Sequence, residues 1–237
     1  MYYGYGLGYG YDWTIILVLI GAAISGLASL NVQGTFKKYS KIKNYRGITA
    51  NQVAEQILHS AGIYDVRIER IRGNLTDHYS PNEKVLRLSD ATYGKTSVAA
   101  IGVAAHECGH AIQHQEGYAP LKLRSASVPL ANIGSWISWP VIIIGLLIGF
   151  TPLARFGIFL FTFVVLFQLI TLPVEFDASA RALRILDQDG ILEGEEHRGA
   201  TKVLKAAAMT YVAALFATIL QLLRLVLIVS GNSRSRD

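Results

Sequence analysis

Two histidines and a glutamate stand close together in the run His106-Glu107-Cys108-Gly109-His110. Residues four apart lie one turn above each other on a helix, so the two imidazoles can bind one cation. Glu107 points away from that line, where its carboxylate can reach a water molecule on the cation. The spacing therefore predicts a catalytic zinc site with His106 and His110 as ligands and Glu107 as general base.

A catalytic zinc ion needs a third protein ligand and one open position. His114 continues the same helix face, but about 12 Å of helical rise separates it from His106, which is too far for one ion. Glu175 is the preferred third ligand, because it follows an uncharged stretch that returns the chain to the side of the membrane on which the histidines lie. Asp187 and Asp189 remain the alternative ligands.

Polar residues after Glu175 could support such a site. Asp177 and Ser179 lie on the same predicted helix, where either can hydrogen-bond a ligand histidine. A hydrogen-bond donor for the oxyanion is also expected. The candidates for that donor, which the sequence does not rank, are His197, Arg181, Arg184 and Tyr211.

The composition indicates that membrane helices position these residues. Only 16% of the 237 residues are charged, against about 25% in soluble domains, so much of the surface does not face water. The single cysteine, Cys108, excludes an internal disulfide. Four stretches are long and nearly free of charge, as membrane-spanning helices require: residues 13–30, 127–150, 156–174 and 206–230.

The basic residues indicate which polar segments face the cytoplasm. Residues 31–124 carry 13 Lys and Arg and residues 174–205 carry five, whereas the opposite side carries three. We therefore expect a cytoplasmic catalytic region at 31–124 and a cytoplasmic segment with the third ligand at 175–205. The Gly/Tyr-rich tail 1–12 and the tail 231–237 would lie outside. This topology accounts for the net charge of +5, so no nucleic-acid partner is predicted.

The region 31–124 has the signals of a small α+β domain. Thr49 and Gln52 match the capping box and Gly62 can end the helix, which predicts a helix over residues 50–61. Residues 66–71 and 84–88 alternate apolar and charged side chains, which predicts two antiparallel strands. An Ala-rich helix from about residue 96 then carries the histidine motif. The second strand could be an edge strand that binds an extended substrate: Lys84, Val85, Leu86, Arg87 and Leu88.

The runs AAHECGHAIQH and, some 60 residues later, LPVEFDASARAL resemble the YugP-type putative neutral zinc metallopeptidases of bacterial membranes, and more distantly the HtpX and Ste24 membrane gluzincins. The first likeness covers nearly the whole chain from the first span to the fourth, and the second covers only the two runs. The resemblance implies His106, His110 and Glu175 as zinc ligands and Glu107 as base. Gluzincins carry an aspartate four residues after the glutamate ligand, where this chain has Ser179.

These observations predict a mainly α membrane protein, with four transmembrane helices and a small α+β cytoplasmic zincin-like metallopeptidase domain that uses Zn²⁺. The expected function is that of a zinc endopeptidase in the bacterial plasma membrane, which cleaves membrane or membrane-associated proteins near the cytoplasmic surface. Its expected partners are these substrates and the lipid bilayer, and the sequence leaves open whether a membrane partner protein binds as well. Two alternatives remain: a non-catalytic scaffold or partner-binding subunit with a structural metal, and a metal transporter. The base Glu107 disfavours the first, and the scarcity of ionisable residues within the spans disfavours the second.

Overall fold

A computed structural model describes residues 12–234, so the predicted tail 1–12 and the end of the tail 231–237 lie almost entirely outside the described residues. The described part contains six α-helices: α1 Ile15–Tyr39, α2 Ala50–Ser60, α3 Val98–Gln115, α4 Ala119–Leu147, α5 Thr151–Gln188 and α6 Gly194–Arg234. Between α2 and α3 lie three strands: β1 Arg67–Ile71, β2 His78–Ser80 and β3 Val85–Ser89. The protein is mainly helical with one small mixed sheet.

Four of these helices, α1, α4, α5 and α6, are long and apolar enough to cross a membrane. They overlap the four apolar stretches of the sequence, and each helix is longer than its stretch. α1 continues through basic residues to Tyr39, and α5 continues past Glu175 to Gln188. Hydropathy marks where a helix leaves the membrane, whereas the backbone hydrogen bonds of the helix can continue into water.

α4 and α5 form a hairpin whose helices approach each other closely at glycines. A Cβ atom on Gly134 would lie 2.6 Å from the carbonyl oxygen of Leu160, and one on Gly145 would lie 2.5 Å from the nitrogen of Ala154. Small residues allow membrane helices to pack backbone to backbone, where van der Waals contact rather than the hydrophobic effect holds them together. The apolar half of α5 is therefore fixed against α4.

α1 packs antiparallel along α6. A Cβ atom on Gly21 would lie 3.1 Å from the Cα atom of Ala217, so the two backbones nearly touch. The Arg224 guanidinium forms an ion pair with Asp12 at 2.7 Å. Arg224 lies within the fourth apolar stretch, and the Asp12 carboxylate just before α1 balances its charge.

The sheet has the strand order β1-β3-β2. β1 and β3 are parallel, and β2 is antiparallel to β3. The prediction that residues 66–71 and 84–88 form an antiparallel pair is therefore wrong. β2 lies between them in the sequence and reverses the direction of the chain, so β3 runs parallel to β1. The edge-strand prediction for residues 84–88 is also wrong. β3 is the central strand, which explains why Val85, Leu86 and Leu88 are fully buried.

α2, α3 and the sheet form a polar domain that is joined to the membrane helices by one hydrophobic core. The predicted capping box of α2 is confirmed: the Thr49 N–H donates to the Gln52 side chain at 2.9 Å. α3 begins with a similar device, since the Ser97 hydroxyl accepts the Ala100 N–H at 3.3 Å. The core includes the polar ends of α5 and α6, where Leu186 is fully buried. This shared core fixes α5 against α3.

Candidate metal centre

Three potential metal ligands converge between α3 and α5. His106 and His110 lie one turn apart on α3, and Glu175 lies on α5. The Oε2 atom of Glu175 is 3.3 Å from Nε2 of His106 and 3.6 Å from Nε2 of His110. The three ligand atoms all lie within 4.8 Å of one another, and one ion can bind them all at bond lengths of about 2.1 Å.

A glycine allows α3 to come this close to α5. A Cβ atom on Gly109 would lie only 2.5 Å from the carbonyl oxygen of Ala178. Any other residue at position 109 would separate the two helices or displace one of them. Gly109 stands next to His110, and Ala178 lies one turn beyond Glu175, so this contact sets the distance between the imidazoles and the carboxylate.

The three residues fit a zinc ion. Glu175 is 3% exposed, and its Oε2 atom is buried with no hydrogen-bond partner. A buried carboxylate oxygen without a donor is costly, and a cation bound to it removes that cost. Two imidazole nitrogens and one carboxylate oxygen are a common ligand set of catalytic zinc. The arrangement therefore suits a metal ion better than a hydrogen-bonded structural cluster.

The imidazole of His110 is held in a defined orientation by Gln113. Its Nδ1 atom lies 3.0 Å from Oε1 of Gln113. The amide nitrogen of Gln113 donates to the Val174 carbonyl oxygen at 2.9 Å and to the Asp177 carboxylate at 2.8 Å. These two acceptors fix which end of the amide faces His110, so Nδ1 of His110 must carry the proton and Nε2 presents a lone pair.

The electrostatic surroundings of His110 favour a cation. Burial alone would lower the pKa of His110, but the neighbouring Glu175 carboxylate and the charge of Glu107 raise the pKa above its ordinary value. The same carboxylates would stabilise a metal ion at Nε2. The positions of the two carboxylates therefore favour a positive charge between His110 and Glu175.

Asp177 connects this site to the protein surface. Its carboxylate accepts a hydrogen bond from Nε of Arg181 at 2.5 Å, and the same guanidinium donates to Glu116 at 2.6 Å. Arg181 also lies 5.6 Å from the centre of the Tyr118 ring. Asp177 thus supports the site through Gln113 rather than by contact with a histidine.

Ser179 holds the second histidine. The Nδ1 atom of His106 is 3.1 Å from the Ser179 hydroxyl, which lies four residues after Glu175. Serine, at the position where the resemblance implied an aspartate, thus reaches the ligand. A hydroxyl can accept the Nδ1 proton, so His106 can also present Nε2 to a metal ion.

Glu107 lies beside the three ligands and faces the same cavity. Its Oε2 atom accepts a hydrogen bond from the backbone N–H of Tyr79 in β2 at 3.0 Å. A cavity of about 440 Å³ is lined by Glu107, by all three ligands and by His78, Tyr79, Arg124 and Tyr211. A substrate in this cavity would touch the candidate base and the candidate ligands together.

Comparison of most of the chain with known proteins points to the same chemistry. Residues 14–230 match the family described as "Putative neutral zinc metallopeptidase". The chain is also 45% identical over 214 residues to the "Putative membrane protease YugP" of Bacillus subtilis (strain 168), covering 90% of this chain and 95% of that protein. The chain belongs to this zinc metallopeptidase family. No solved structure matches it, so the zincin-like architecture of the polar domain stays a prediction.

Membership of the metallopeptidase family implies zinc, and the four apolar helices agree with a multi-pass membrane protein.

The alternative ligands lie away from the centre. Asp187 and Asp189 stand at the end of α5, at least 12 residues beyond Glu175, or about 18 Å along the helix. His114 is bound elsewhere, since its Nδ1 atom is 2.9 Å from the hydroxyl of Tyr79.

The four predicted oxyanion donors of this metallopeptidase are not placed alike. Tyr211 lines the cavity together with Glu107. His197 lies near the Leu183 carbonyl oxygen, 3.0 Å from Nε2. Arg181 is engaged by carboxylates, and with Arg184 it lines a different cavity. The structure therefore brings only Tyr211 of the four to the metal centre.

Sequence reasoning missed three residues of the site. Gln113 lies three residues after His110 on a helix whose buried residues are mostly small and apolar. A polar residue on that face was the only signal in the sequence. Tyr79 belongs to a strand of three residues, too short for a hydrophobic pattern. Arg124 was counted only for topology, yet it lines the cavity, and its Nε atom is buried without a hydrogen-bond partner.

Proposed function

We propose that this chain is an integral membrane zinc endopeptidase that hydrolyses peptide bonds of membrane or membrane-associated proteins. The observation that carries the proposal is the convergence of His106, His110 and Glu175 at a cavity that Glu107 also lines. Zinc supplies a Lewis acid there, which lowers the pKa of a water molecule towards about 7 and polarises the scissile carbonyl. A purely structural metal has no use for Glu107, which favours an enzyme over a scaffold.

Glu107 is the general base in this proposal. It takes a proton from the attacking water and delivers it to the leaving amine. The N–H of Tyr79 holds one oxygen of the Glu107 carboxylate at 3.0 Å, which keeps the carboxylate directed at the cavity. Gln113 and Ser179 keep the two imidazoles in the tautomer and orientation that a metal ligand needs.

Tyr211 is the proposed donor for the oxyanion. Its phenol lines the cavity together with Glu107 and Glu175, and a donor preorganised at that point stabilises the charge that develops on the carbonyl oxygen. Arg124 lines the same cavity from α4 and provides a second, charged donor. Both side chains come from membrane helices, so the membrane part of the protein would contribute directly to catalysis.

β2 is the proposed docking edge for an extended substrate, in place of residues 84–88. It is an outer strand of the sheet, and His78 and Tyr79 line the cavity. A substrate strand added there would be held in register by backbone hydrogen bonds, with one of its peptide bonds presented to Glu107. Such a substrate must be unfolded or extended where it is cut.

The proposed orientation places the polar domain in the cytoplasm of a bacterial plasma membrane, and rests on the distribution of Lys and Arg. Single cysteines introduced into a Cys108→Ala background test it. A cysteine in place of the buried Ser89 would not react with the reagent on either side, whereas Tyr45 is 98% exposed. We expect Tyr45→Cys to resist a membrane-impermeant maleimide in intact cells and to react after the cells are opened. Labelling of this cysteine in intact cells would show that the polar domain lies outside the cytoplasm.

The Glu107→Gln variant tests the peptidase itself. We expect the purified variant to bind zinc like the wild type and to lose peptide hydrolysis by roughly 10²–10⁴-fold, because the ligands remain and only the base is lost. His110→Ala should lose the metal as well. Zinc content and cleavage of unfolded casein in detergent are measured side by side. If wild type and variant both bind zinc and neither cleaves, the structural-metal scaffold is the better reading.

Membrane proteins that accumulate in cells carrying Glu107→Gln would identify the natural substrates. Comparison with cells that carry the wild-type chain at the same expression level controls for the presence of the protein. We expect the accumulated proteins to contain extended segments near the cytoplasmic membrane surface. Accumulation of folded soluble proteins alone would contradict the proposed substrate class.

A further inference from the structure

A second cavity, of about 250 Å³, meets the metal centre between α1 and α6. His106, Glu107 and Glu175 line it as well as the larger cavity, so its contents would lie within one residue of the reacting peptide bond. Its other walls are mainly apolar: Val32 of α1, Leu75 of the β1–β2 loop, Val103 of α3, and Leu204, Ala207 and Ala208 of α6.

This cavity exists because α1 and α6 touch above and below it. On one side Gly21 meets Ala217 backbone to backbone. On the other side the buried Tyr39 ring packs on Gly199, where a Cβ atom would lie 2.7 Å from the ring. Between these contacts α6 presents small alanines towards α1. The gap is thus held open by two fixed contacts.

Leu75 closes one side of the gap in an unusual conformation. Its φ angle is +57°, in the left-handed region that a leucine rarely adopts. Its side chain is 43% exposed and lines the cavity. Strained residues of this kind concentrate at binding sites, where the surrounding structure holds them in place. An exposed leucine beside an empty apolar gap provides a contact surface for another apolar group.

Three polar residues of this cavity, Asp77, Ser179 and Thr210, are hydrogen-bonded within the protein. Asp77 accepts hydrogen bonds from the Ser89 N–H at 2.7 Å and from the Ser89 hydroxyl at 2.8 Å. Arg124 lines only the larger of the two cavities, and no Lys or Arg of the described residues lines this one. An acidic substrate side chain would find no basic partner here, and the carboxylates of Glu107 and Glu175 are committed to the proposed metal chemistry. An aliphatic side chain would gain apolar contact with the other walls.

We propose that this cavity is a specificity pocket that takes the aliphatic side chain of a substrate residue next to the scissile bond. The inference rests on the proposed peptidase function and adds the substrate class: extended segments with Leu, Ile, Val or Met at the cut. Because α1 and α6 provide six of the thirteen residues that line the pocket, membrane helices take part in selecting the sequence that is cleaved.

Variants that fill or enlarge the pocket test this inference. Ala207→Phe fills it, and Val32→Ala and Leu75→Ala enlarge it. Ala214→Phe adds the same bulk to an exposed position of α6 and is the matched control. Zinc content is measured first to show that each metal centre is intact. Cut sites in unfolded casein are then mapped by mass spectrometry, and kcat/KM is measured for peptides that carry Gly, Ala, Leu or Phe on either side of the cut.

We expect wild type and Ala214→Phe to prefer Leu on one side of the cut. Ala207→Phe should lose roughly 10–200-fold in kcat/KM for the Leu peptide and keep its activity on the Gly and Ala peptides. Val32→Ala and Leu75→Ala should shift the preference towards Phe. If active variants all keep the wild-type preference, the pocket assignment is overturned while the peptidase stands. If the zinc-loaded wild type cleaves nothing, the proposed function falls and the pocket falls with it.

Discussion

The two halves of α5 pack against different partners by the same means and with different results. In the apolar half, Gly157 brings α5 against Ile142 of α4, where an added Cβ atom would lie 2.5 Å from a side-chain carbon. In the polar half, Gly109 of α3 approaches Ala178 of α5 equally closely. Only the second contact is accompanied by a network of hydrogen bonds, which runs from Gln113 to the surface.

The difference separates position from chemistry. Close packing at a glycine fixes the distance between two helices whether or not anything reactive lies between them. Buried polar groups add a requirement for partners, which fixes the orientation of each side chain as well. The contact of the polar half with α3 therefore determines where Glu175 stands, and the hydrogen bonds around the site determine what Glu175, His106 and His110 can bind.

The strongest test of this distinction removes the ligand on α5. We expect Glu175→Ala to reduce zinc affinity by more than the roughly 10–100-fold that follows the loss of an outer hydrogen bond, because a direct ligand is lost. Asp187 is an exposed carboxylate on the same helix, and the Asp187→Ala variant should bind zinc like the wild type. Competition with a chelator measures both affinities. Equal affinity in Glu175→Ala and wild type would remove Glu175 from the metal centre.

The next test compares the two close contacts. Gly109→Ala and Gly157→Ala each insert a methyl group where an atom already lies 2.5 Å away, so each should destabilise the protein by about 1–3 kcal/mol. Only Gly109→Ala should also weaken zinc binding, because it moves α3 relative to Glu175. Thermal unfolding in detergent and zinc content are the measurements. Loss of zinc in Gly157→Ala protein that remains folded would show that the two halves are not separable.

The smallest expected effect concerns two glutamines, Gln113 and Gln168. Gln113→Leu should weaken zinc binding by roughly 10–100-fold, since His110 loses the partner that orients it. Gln168 lies in the apolar half of α5, and its Oε1 atom is buried without a hydrogen-bond partner. Gln168→Leu should leave zinc affinity unchanged and stability equal or higher. Zinc titration and unfolding of the two variants decide whether orientation matters only near the metal.

The sequence alone predicted the parts of the site that depend on local spacing. Helical periodicity places His106 and His110 on one face, and the sequence needed no further information for this. Glu175 followed from topology, since an even number of crossings returns the chain to the same side. Helix ends were harder, because charge patterns mark the membrane boundary and α5 does not stop there.

The missing parts depend on contacts between distant segments. β1 can pair in parallel with β3 because the intervening β2 runs antiparallel on the far side of β3, and a strand of three residues carries no readable alternation. Tyr79 reaches Glu107 only because β2 occupies that outer position. Gln113 acquires its role from the Val174 carbonyl oxygen and Asp177, which are more than 60 residues away in the chain. Neither contact has a local signature.

The position of Pro173 decides how far the lipid around α5 can act on the metal centre. This helix runs for 38 residues, and Pro173 lies within it two residues before Glu175. Such a helix is about 57 Å long, and a bilayer of different thickness would change the tilt of its apolar half. Because proline donates no backbone hydrogen bond within a helix, the helix can bend at this residue. Pro173 would then act as a hinge that absorbs changes in tilt, while the contact between Gly109 and Ala178 keeps Glu175 beside the histidines.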